Sequence, residues 1–154
     1  MYYIRQSTKA YEWVGKPGSN LHVPIKAESF ENVKPIGKGK FGVVFLAKTN
    51  ESDKPTRYVA IKYIAKQIIF ETQTLDKIQN EVDYLTKFNH PSSVYCWGAF
   101  ETPASFGIVM EYCVGGELYH RMKQRIKVGA AEAKFYFVEL VSVLKYLHEE
   151  MQVS

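Results

Sequence analysis

The run Gly37-Lys38-Gly39-Lys40-Phe41-Gly42-Val43-Val44, followed after a short loop by Val59-Ala60-Ile61-Lys62, restricts this chain more than any other stretch. The glycines permit positive φ and let backbone amides approach a ligand closely. The β-branched pair Val43-Val44 and the following Phe45-Leu46-Ala47 then demand a strand. A dinucleotide-binding Gly-x-Gly-x-x-Gly would open a helix and meet an acidic residue later. Here the glycines join two strands and a lysine follows, the pattern of a hairpin that covers phosphate groups.

Residues up to about Ala27 are polar and aromatic, with a Gly-Lys-Pro-Gly turn at 15–18, and read as an extension anchored by Trp13. From Phe30 onward short β-type runs follow at 30–36, 43–48, 58–64, 94–101 and 106–110, joined by turn residues. With no helix between the first three, an antiparallel sheet is expected, because parallel neighbours need crossovers. One helix interrupts the series: Leu75, Ile78, Val82 and Leu85 recur at helical spacing, and Asn89-His90-Pro91 ends the segment. Glu81 lies on that apolar stripe. Either it meets a cation, for which Lys62 is the candidate, or it rotates to the helix edge and stays solvated. After Gly115-Gly116 a short helix of roughly 117–124 is expected, then a longer one from Gly129-Ala130-Ala131 to about His148. Apolar residues cover almost the whole circumference of that last helix, from Phe135 to Leu147, so it should lie inside something larger. The chain is therefore expected to be a piece of a larger fold.

A chain of 154 residues with 46% hydrophobic content can bury one core, or one core and part of another. Its net charge of +4 is mild and the basic residues are scattered, so neither nucleic acid nor a membrane surface is an expected partner. The N-terminus has no apolar signal core, and Tyr2 excludes N-myristoylation by the usual motif. Cys96 and Cys113 have no metal or disulfide spacing, which favours a cytoplasmic location, with the nucleus as the other option. His22, His90, His120 and His148 lack paired ligand spacing, and no metal site is expected from them.

Taken together, Gly37, Gly39, Gly42, Val44, Val59-Ala60-Ile61-Lys62 and Glu81 resemble the signature set of the protein kinase family. Met110-Glu111-Tyr112-Cys113-Val114-Gly115-Gly116-Glu117-Leu118 extends the resemblance, which covers about Phe30 to the end. Within the family the chain is similar to the AGC group of serine/threonine kinases, and there to the cAMP-dependent type. That similarity rests on Asn80-Glu81, the Glu111 to Leu118 run, Ala133-Lys134-Phe135-Tyr136 and Tyr146-Leu147-His148. The fold class implied is α+β. A small lobe of five antiparallel strands and one regulatory helix would be followed by two helices of an incomplete large lobe. The domains would be an extension at 1–27, an ATP-binding lobe at 28–113, and the hinge exit with the first large-lobe helices at 114–154.

The resemblance also implies roles. Amides of Gly37, Lys38, Gly39, Lys40, Phe41 and Gly42 would cover the β- and γ-phosphates of ATP. Lys62 would bind the α- and β-phosphates, held by Glu81. Ile36, Val44 and Ala60 would roof the adenine, Met110 would stand behind it, and Glu111 carbonyl and Cys113 amide would meet its edge. Glu117 would reach the ribose hydroxyls and, with basic substrates, a substrate arginine. The bland readings are that Ile36, Val44, Ala60 and Met110 only pack, that Cys113 is an inert thiol, and that Glu117 only favours a helix N-terminus.

There are departures from the pattern. The three aspartates, Asp53, Asp76 and Asp83, stand in neither a His-Arg-Asp nor an Asp-Phe-Gly context. The catalytic base and the magnesium ligands that the family uses are therefore expected to be missing from these residues, with Ser154 aligning near the start of the catalytic loop. Gly129-Ala130 replaces the usual capped helix start, and Cys96 stands where a larger apolar residue is common, so a looser core is expected. The leading expectation is an ATP-binding portion of a serine/threonine kinase, inactive alone. In full-length form its partners would be protein substrates and a cyclic-nucleotide-binding regulatory subunit. The alternatives are a non-catalytic kinase-like nucleotide-binding or regulatory module, and some other glycine-loop phosphotransferase without a Lys62–Glu81 contact.

Overall fold

A computed structural model of the chain describes residues 25–40, 42–50, 55–72, 75–123 and 128–151, without the side chains of residues 75, 77, 79, 81, 82, 86 and 121. Trp13 and the rest of the extension before Ile25, as well as Phe41, lie outside these residues. The described residues form two compact units. One runs to Lys87 and resumes at Tyr95–Tyr112; the other comprises Phe88–Val94 and the residues from Cys113 onward.

The first unit is built on a five-stranded antiparallel sheet: β1 (Phe30–Lys38), β2 (Val43–Thr49), β3 (Tyr58–Ala65), β4 (Cys96–Glu101) and β5 (Ser105–Glu111), in the order β1-β2-β3-β5-β4. The three adjacent pairs β1–β2, β2–β3 and β4–β5 are sequence neighbours, as short turns dictate. The connection from β3 to β4 carries two helices, α1 (Lys66–Thr72) and α2 (Leu75–Lys87). The sequence predicts one helix here, and the fold has two. The short α1 precedes the predicted one, because Ile68-Ile69-Phe70 is an apolar run with no period of its own, and tertiary packing decides its form. Ile69 is buried while Phe70 is 80% exposed.

Direct cross-strand partners share a face, so the register sorts the side chains into two sets. One set contains Val44, Lys62, Ile108 and Ala99 on one rung, with Leu46, Ala60, Met110 and Cys96 on the next. This inner face carries the cluster of Ile64, Ile69, Ile78, Cys96 and Ile108, with Leu85, Ala99, Phe106 and Met110 packed against it. Ile78 and Leu85 come from α2, so the helix is laid on this face by the stripe that its spacing predicts. Cys96 is 1% exposed and fills its position in the cluster.

The outer face holds Phe30, Ala47, Val59, Ile61, Phe100 and Val109, closed by Ile25, with Ala27, Tyr63 and Trp97 at its margin. Phe30 stacks on Phe100 at 6.2 Å, and Tyr63 meets Phe45 and Phe100 edge-on at 5.8 and 5.9 Å. A single 3-10 turn at Ala27–Ser29 leads into β1, and the Asn50 amide donates to the Ser29 carbonyl at 2.8 Å, tying β2's end to that turn. Phe100 demands Gly107 opposite it, since a Cβ there would stand 2.4 Å from the ring.

Strand β1 is the sheet edge and carries two register shifts, between Asn32 and Lys34 and between Pro35 and Gly37. The extra residues, Val33 and Ile36, are left exposed at 48% and 41%. Bulges of this kind add twist and blunt an edge against pairing with another chain. Glu31 and Lys48, direct partners across β1–β2, form an ion pair at 3.1 Å.

The second unit contains α3 (Leu118–Lys123) and α4 (Ala130–Glu149). Helix α4 begins at Gly129 without a side-chain cap, as Gly129-Ala130 implies. Within this unit the 88–94 segment docks on α4. Phe88 and His90 lie against the Tyr146 ring at 5.3 and 5.5 Å, and Ser92 donates from its hydroxyl to Glu139. His90 Nε2 and Ser142 Oγ are 3.1 Å apart, while His90 Nδ1 accepts from the Ser92 amide at 3.1 Å. Other apolar positions of α4 are open among the described residues: Phe135, Phe137, Val138 and Leu140 are each more than half exposed. The near-complete apolar circumference expected to be interior is thus only partly covered.

Candidate functional site

Of the residues singled out in the sequence, Gly37, Val44, Ala60, Lys62 and Met110 share the inner face of the sheet. Gly37 is the direct partner of Val44, and Val44 of Lys62, so the three form one rung. One step away, Leu46, Ala60 and Met110 form the next. Ala60 is 7% exposed, whereas Val44, Lys62 and Met110 are half-buried. A half-buried lysine between Val44 and Ile108 presents one positive charge on an otherwise apolar rung. A lysine in such a position can pack its stem along apolar surface and keep the ammonium beyond it.

The hairpin above this rung is closed by the Gly39 amide donating to the Gly42 carbonyl at 2.9 Å. Its glycines are not equivalent. At Gly42 an added Cβ would lie 1.9 Å from the Tyr63 carbonyl oxygen, so the fold itself excludes a side chain there. At Gly37 and Gly39 the nearest atoms would be 3.7 and 3.9 Å away, ordinary contact distances. Among the described residues nothing requires glycine at those two positions. They leave a strip free of side chains that a Cβ would occupy, the shape expected where a ligand approaches backbone amides.

This contrast is testable. Gly42→Ala is expected to cost about 1–3 kcal/mol, because the hairpin must lift from β3. Gly39→Ala, with no clash and a more restricted unfolded chain, is expected to stay within about 1 kcal/mol of the parent. Urea unfolding of both variants measures this, and equal costs would contradict the geometry.

Met110 and Glu111 end β5. The Glu111 amide donates to the Tyr95 carbonyl at 2.8 Å, and the Tyr95 amide donates to Glu111 Oε2 at 3.3 Å, which fixes the last residue of the strand. Ile36, the extra residue of the second bulge, presents an exposed apolar side chain beside the glycines. Lys38 pairs with Val43, which pairs with Tyr63 of the outer core margin, so its rung belongs to the outer face. Lys38 and Lys40 are both exposed.

Glu81 lies in α2 between Ile78 and Leu85, both packed on the inner core. Its side chain, and with it the pairing to Lys62, lies outside the described residues. Cys113 and Glu117 belong to the second unit. There Cys113 is exposed and its carbonyl accepts from the Gly116 amide at 3.2 Å, a turn that Gly116 makes at φ 68°. Glu117 directly precedes α3 and stands 3.6 Å from His120 Nδ1, both side chains well exposed. A carboxylate at a helix start is favourable on its own.

Sequence reasoning missed two features. Leu46 shares the rung of Ala60 and Met110, which strand alternation from Val44 could have supplied. Lys66, four residues after Lys62, pairs with Glu101, while its Nζ lies 5.2 Å from the Phe106 ring centre and its amide donates to the Ala104 carbonyl. That pair ties the end of β3 to the β4–β5 hairpin; Glu101 Oε2 is buried with no hydrogen-bond partner among the described residues. No local sequence pattern signals so distant a contact. Burial pushes the Cys96 thiol up to about 11, against a smaller lowering by a backbone hydrogen bond with Gly98, so it stays a neutral packing group.

Comparison with known proteins agrees with this arrangement. The protein kinase domain pattern matches residues 30–153. Serine/threonine-protein kinase nrc-2 of Neurospora crassa is 31% identical over 149 residues, covering 94% of this chain and 23% of that protein. NUAK family SNF1-like kinase 2 of Homo sapiens is 33% identical over 124 residues, 80% of this chain and 19% of that protein. The cAMP-dependent protein kinase catalytic subunit of Dictyostelium discoideum is 28% identical over 134 residues, 84% of this chain and 20% of that protein. The chain thus spans only 19–23% of the length of these curated relatives. With the glycine hairpin, the lysine rung and a family match over most of its length in agreement, the chain belongs to the protein kinase domain family.

Proposed function

We propose that this chain holds ATP for a serine/threonine protein kinase of the AGC group, similar to the cAMP-dependent type. The carrying observation is the inner-face arrangement of Gly37, Val44 and Lys62 beside Ala60 and Met110, under a hairpin whose Gly37 and Gly39 have room for a Cβ and carry none. Adenine would lie against Val44, Ala60 and Ile36, with Met110 behind it and its edge toward Glu111. The hairpin amides and the Lys62 ammonium would take the phosphates; the roles of Cys113 and Glu117 rest on the family resemblance alone. Lys62 is the positioning cation, and Glu81 its intended partner. A fixed positive charge next to apolar walls stabilises phosphate charge more than water does, and phosphoryl transfer depends on such positioning.

Magnesium fits less well. Asp53, Asp76 and Asp83 stand outside the sequence contexts in which the family holds the metal, and no group of three acidic, His or Cys side chains converges among the described residues. Transfer by these 154 residues alone is therefore expected to be undetectable, and protein substrates, a regulatory subunit and a cytoplasmic setting belong to the proposal for the whole kinase. Calorimetric titration tests the reading: ATP and adenosine should bind the chain at one shared site. Absence of binding by either, with the chain folded, would refute it. The same aspartate content favours a second reading, a kinase-like module that acts by binding nucleotide or partners. Phosphotransfer in a longer chain with the next residues of the gene in frame separates the two.

A further inference from the structure

Every residue of α4 is at least partly exposed, although the helix runs for 20 residues. Its contacts with the 88–94 segment come from Glu139, Ser142 and Tyr146. Phe137, Leu140 and Leu144 each stand two positions from one of these, about 200° around the helix. They are 66%, 57% and 44% exposed. All three belong to a longer series. Ala130, Phe137 and Leu144 recur every seven residues, and Ala133, Leu140 and Leu147 follow each of them by three. An apolar seam with the a and d spacing of a coiled coil therefore runs the length of the helix. Glu132, Glu139, Lys145 and Glu149 all fall outside it.

We propose that this seam pairs with the same seam of a second copy of the chain, in antiparallel orientation, so that the 154-residue protein forms a weak dimer. A heptad seam fits another of the same period, because each knob needs a matching hole. Among the described residues only α4 offers one, since α2 spends its stripe of Ile78 and Leu85 on the sheet. Charge selects the orientation. With a layers facing d layers, Phe137 lies level with Leu147 and Leu140 with Leu144 of the second copy, which sets Lys134 level with its Glu150. A parallel pair would set Lys134 level with Lys134 and Glu150 level with Glu150. Such exposed charges fix direction more than they add affinity. Phe137, Leu140, Leu144 and the adjoining Val141, 44% exposed, leave roughly 400 Å² of apolar surface per copy, about 800 Å² in the pair. That falls short of the roughly 1,200 Å² at which standard stable interfaces begin, hence the weak association.

The test is sedimentation velocity of the full chain from about 2 to about 200 µM, with thermal melts confirming that each variant is folded. The expected result is a monomer at the low end that becomes a dimer, and nothing larger, with half-association on the order of tens of micromolar. Leu140→Glu puts a charge on the seam and should keep the protein monomeric throughout. Leu144→Gln, a milder change, should weaken association by about tenfold. Val138→Glu adds the same charge off the seam, at a position 52% exposed, and should associate as the parent does. Lys134→Glu should weaken the dimer by about two- to threefold, and adding Glu150→Lys should restore it. A parent that stays monomeric overturns the proposal and leaves the seam to another occupant, such as a following segment of a longer chain. Association that continues beyond two copies, that persists in Leu140→Glu and Leu144→Gln, or that Val138→Glu abolishes equally overturns it as well. No recovery in the double charge exchange overturns the antiparallel orientation.

Discussion

Lys62→Ala is expected to weaken ATP binding by about ten- to a hundredfold, the loss of a charge-assisted contact of roughly 1.5–3 kcal/mol. Adenosine, which has no phosphate, should lose little. The side chain is half-buried between Val44 and Ile108, and alanine leaves the rung's hydrogen bonds untouched. Its thermal midpoint is therefore expected to move by no more than about 4 °C. Parallel titrations with ATP and adenosine, together with a melt of the variant, make the measurement. If Lys62 were only a packing residue, ATP and adenosine affinities would change together and the melting temperature would fall with them. Equal ATP affinity in parent and variant would remove Lys62 from the site.

Much of this site was readable beforehand because its residues lie on strands, where a period of two assigns faces without further information. Once Val43-Val44 and Val59-Ala60-Ile61 are strands joined as neighbours, Val44, Ala60 and Lys62 must share a face, and the structure has them on adjacent rungs. Helix α2 was readable for a similar reason: Ile78 and Leu85 are two turns apart and both reach the inner core.

What escaped depends on contacts distant in sequence. The bulges at Val33 and Ile36 each insert one residue, and a one-residue slip exchanges the faces of everything beyond it. The need for glycine at residue 42 comes from the Tyr63 carbonyl, and at Gly107 from the Phe100 ring, neither of which is a near neighbour. Helix α1 was hidden because a short β-branched run has no diagnostic period, and the Lys66–Glu101 pair because 35 residues separate its partners.

The largest effect on stability is expected from Ile108→Ala. Ile108 has no exposed surface, sits on β5 beside Lys62 of β3 and Ala99 of β4, and packs with Ile64, Ile69, Ile78 and Cys96. Truncation removes the buried carbons and leaves a cavity that the flanking strands cannot close without breaking register. The expected cost is about 2–5 kcal/mol, against roughly 0.5–1.5 for Ile108→Val. A typical domain holds only about 5–15 kcal/mol in reserve, so the alanine variant should unfold at a visibly lower urea concentration with an unchanged slope. The same cluster carries Ile69 of α1 and Ile78 of α2, so the lost packing loosens the helices' seat on the sheet as well as the sheet itself. Nucleotide affinity of the folded Ile108→Ala protein, measured well below its unfolding transition, should fall less than in Lys62→Ala, because the charge remains while only its support softens. A cost below about 1 kcal/mol would mean that the inner core collapses around the gap, and that the rung holding Lys62 is far less rigid than its burial indicates.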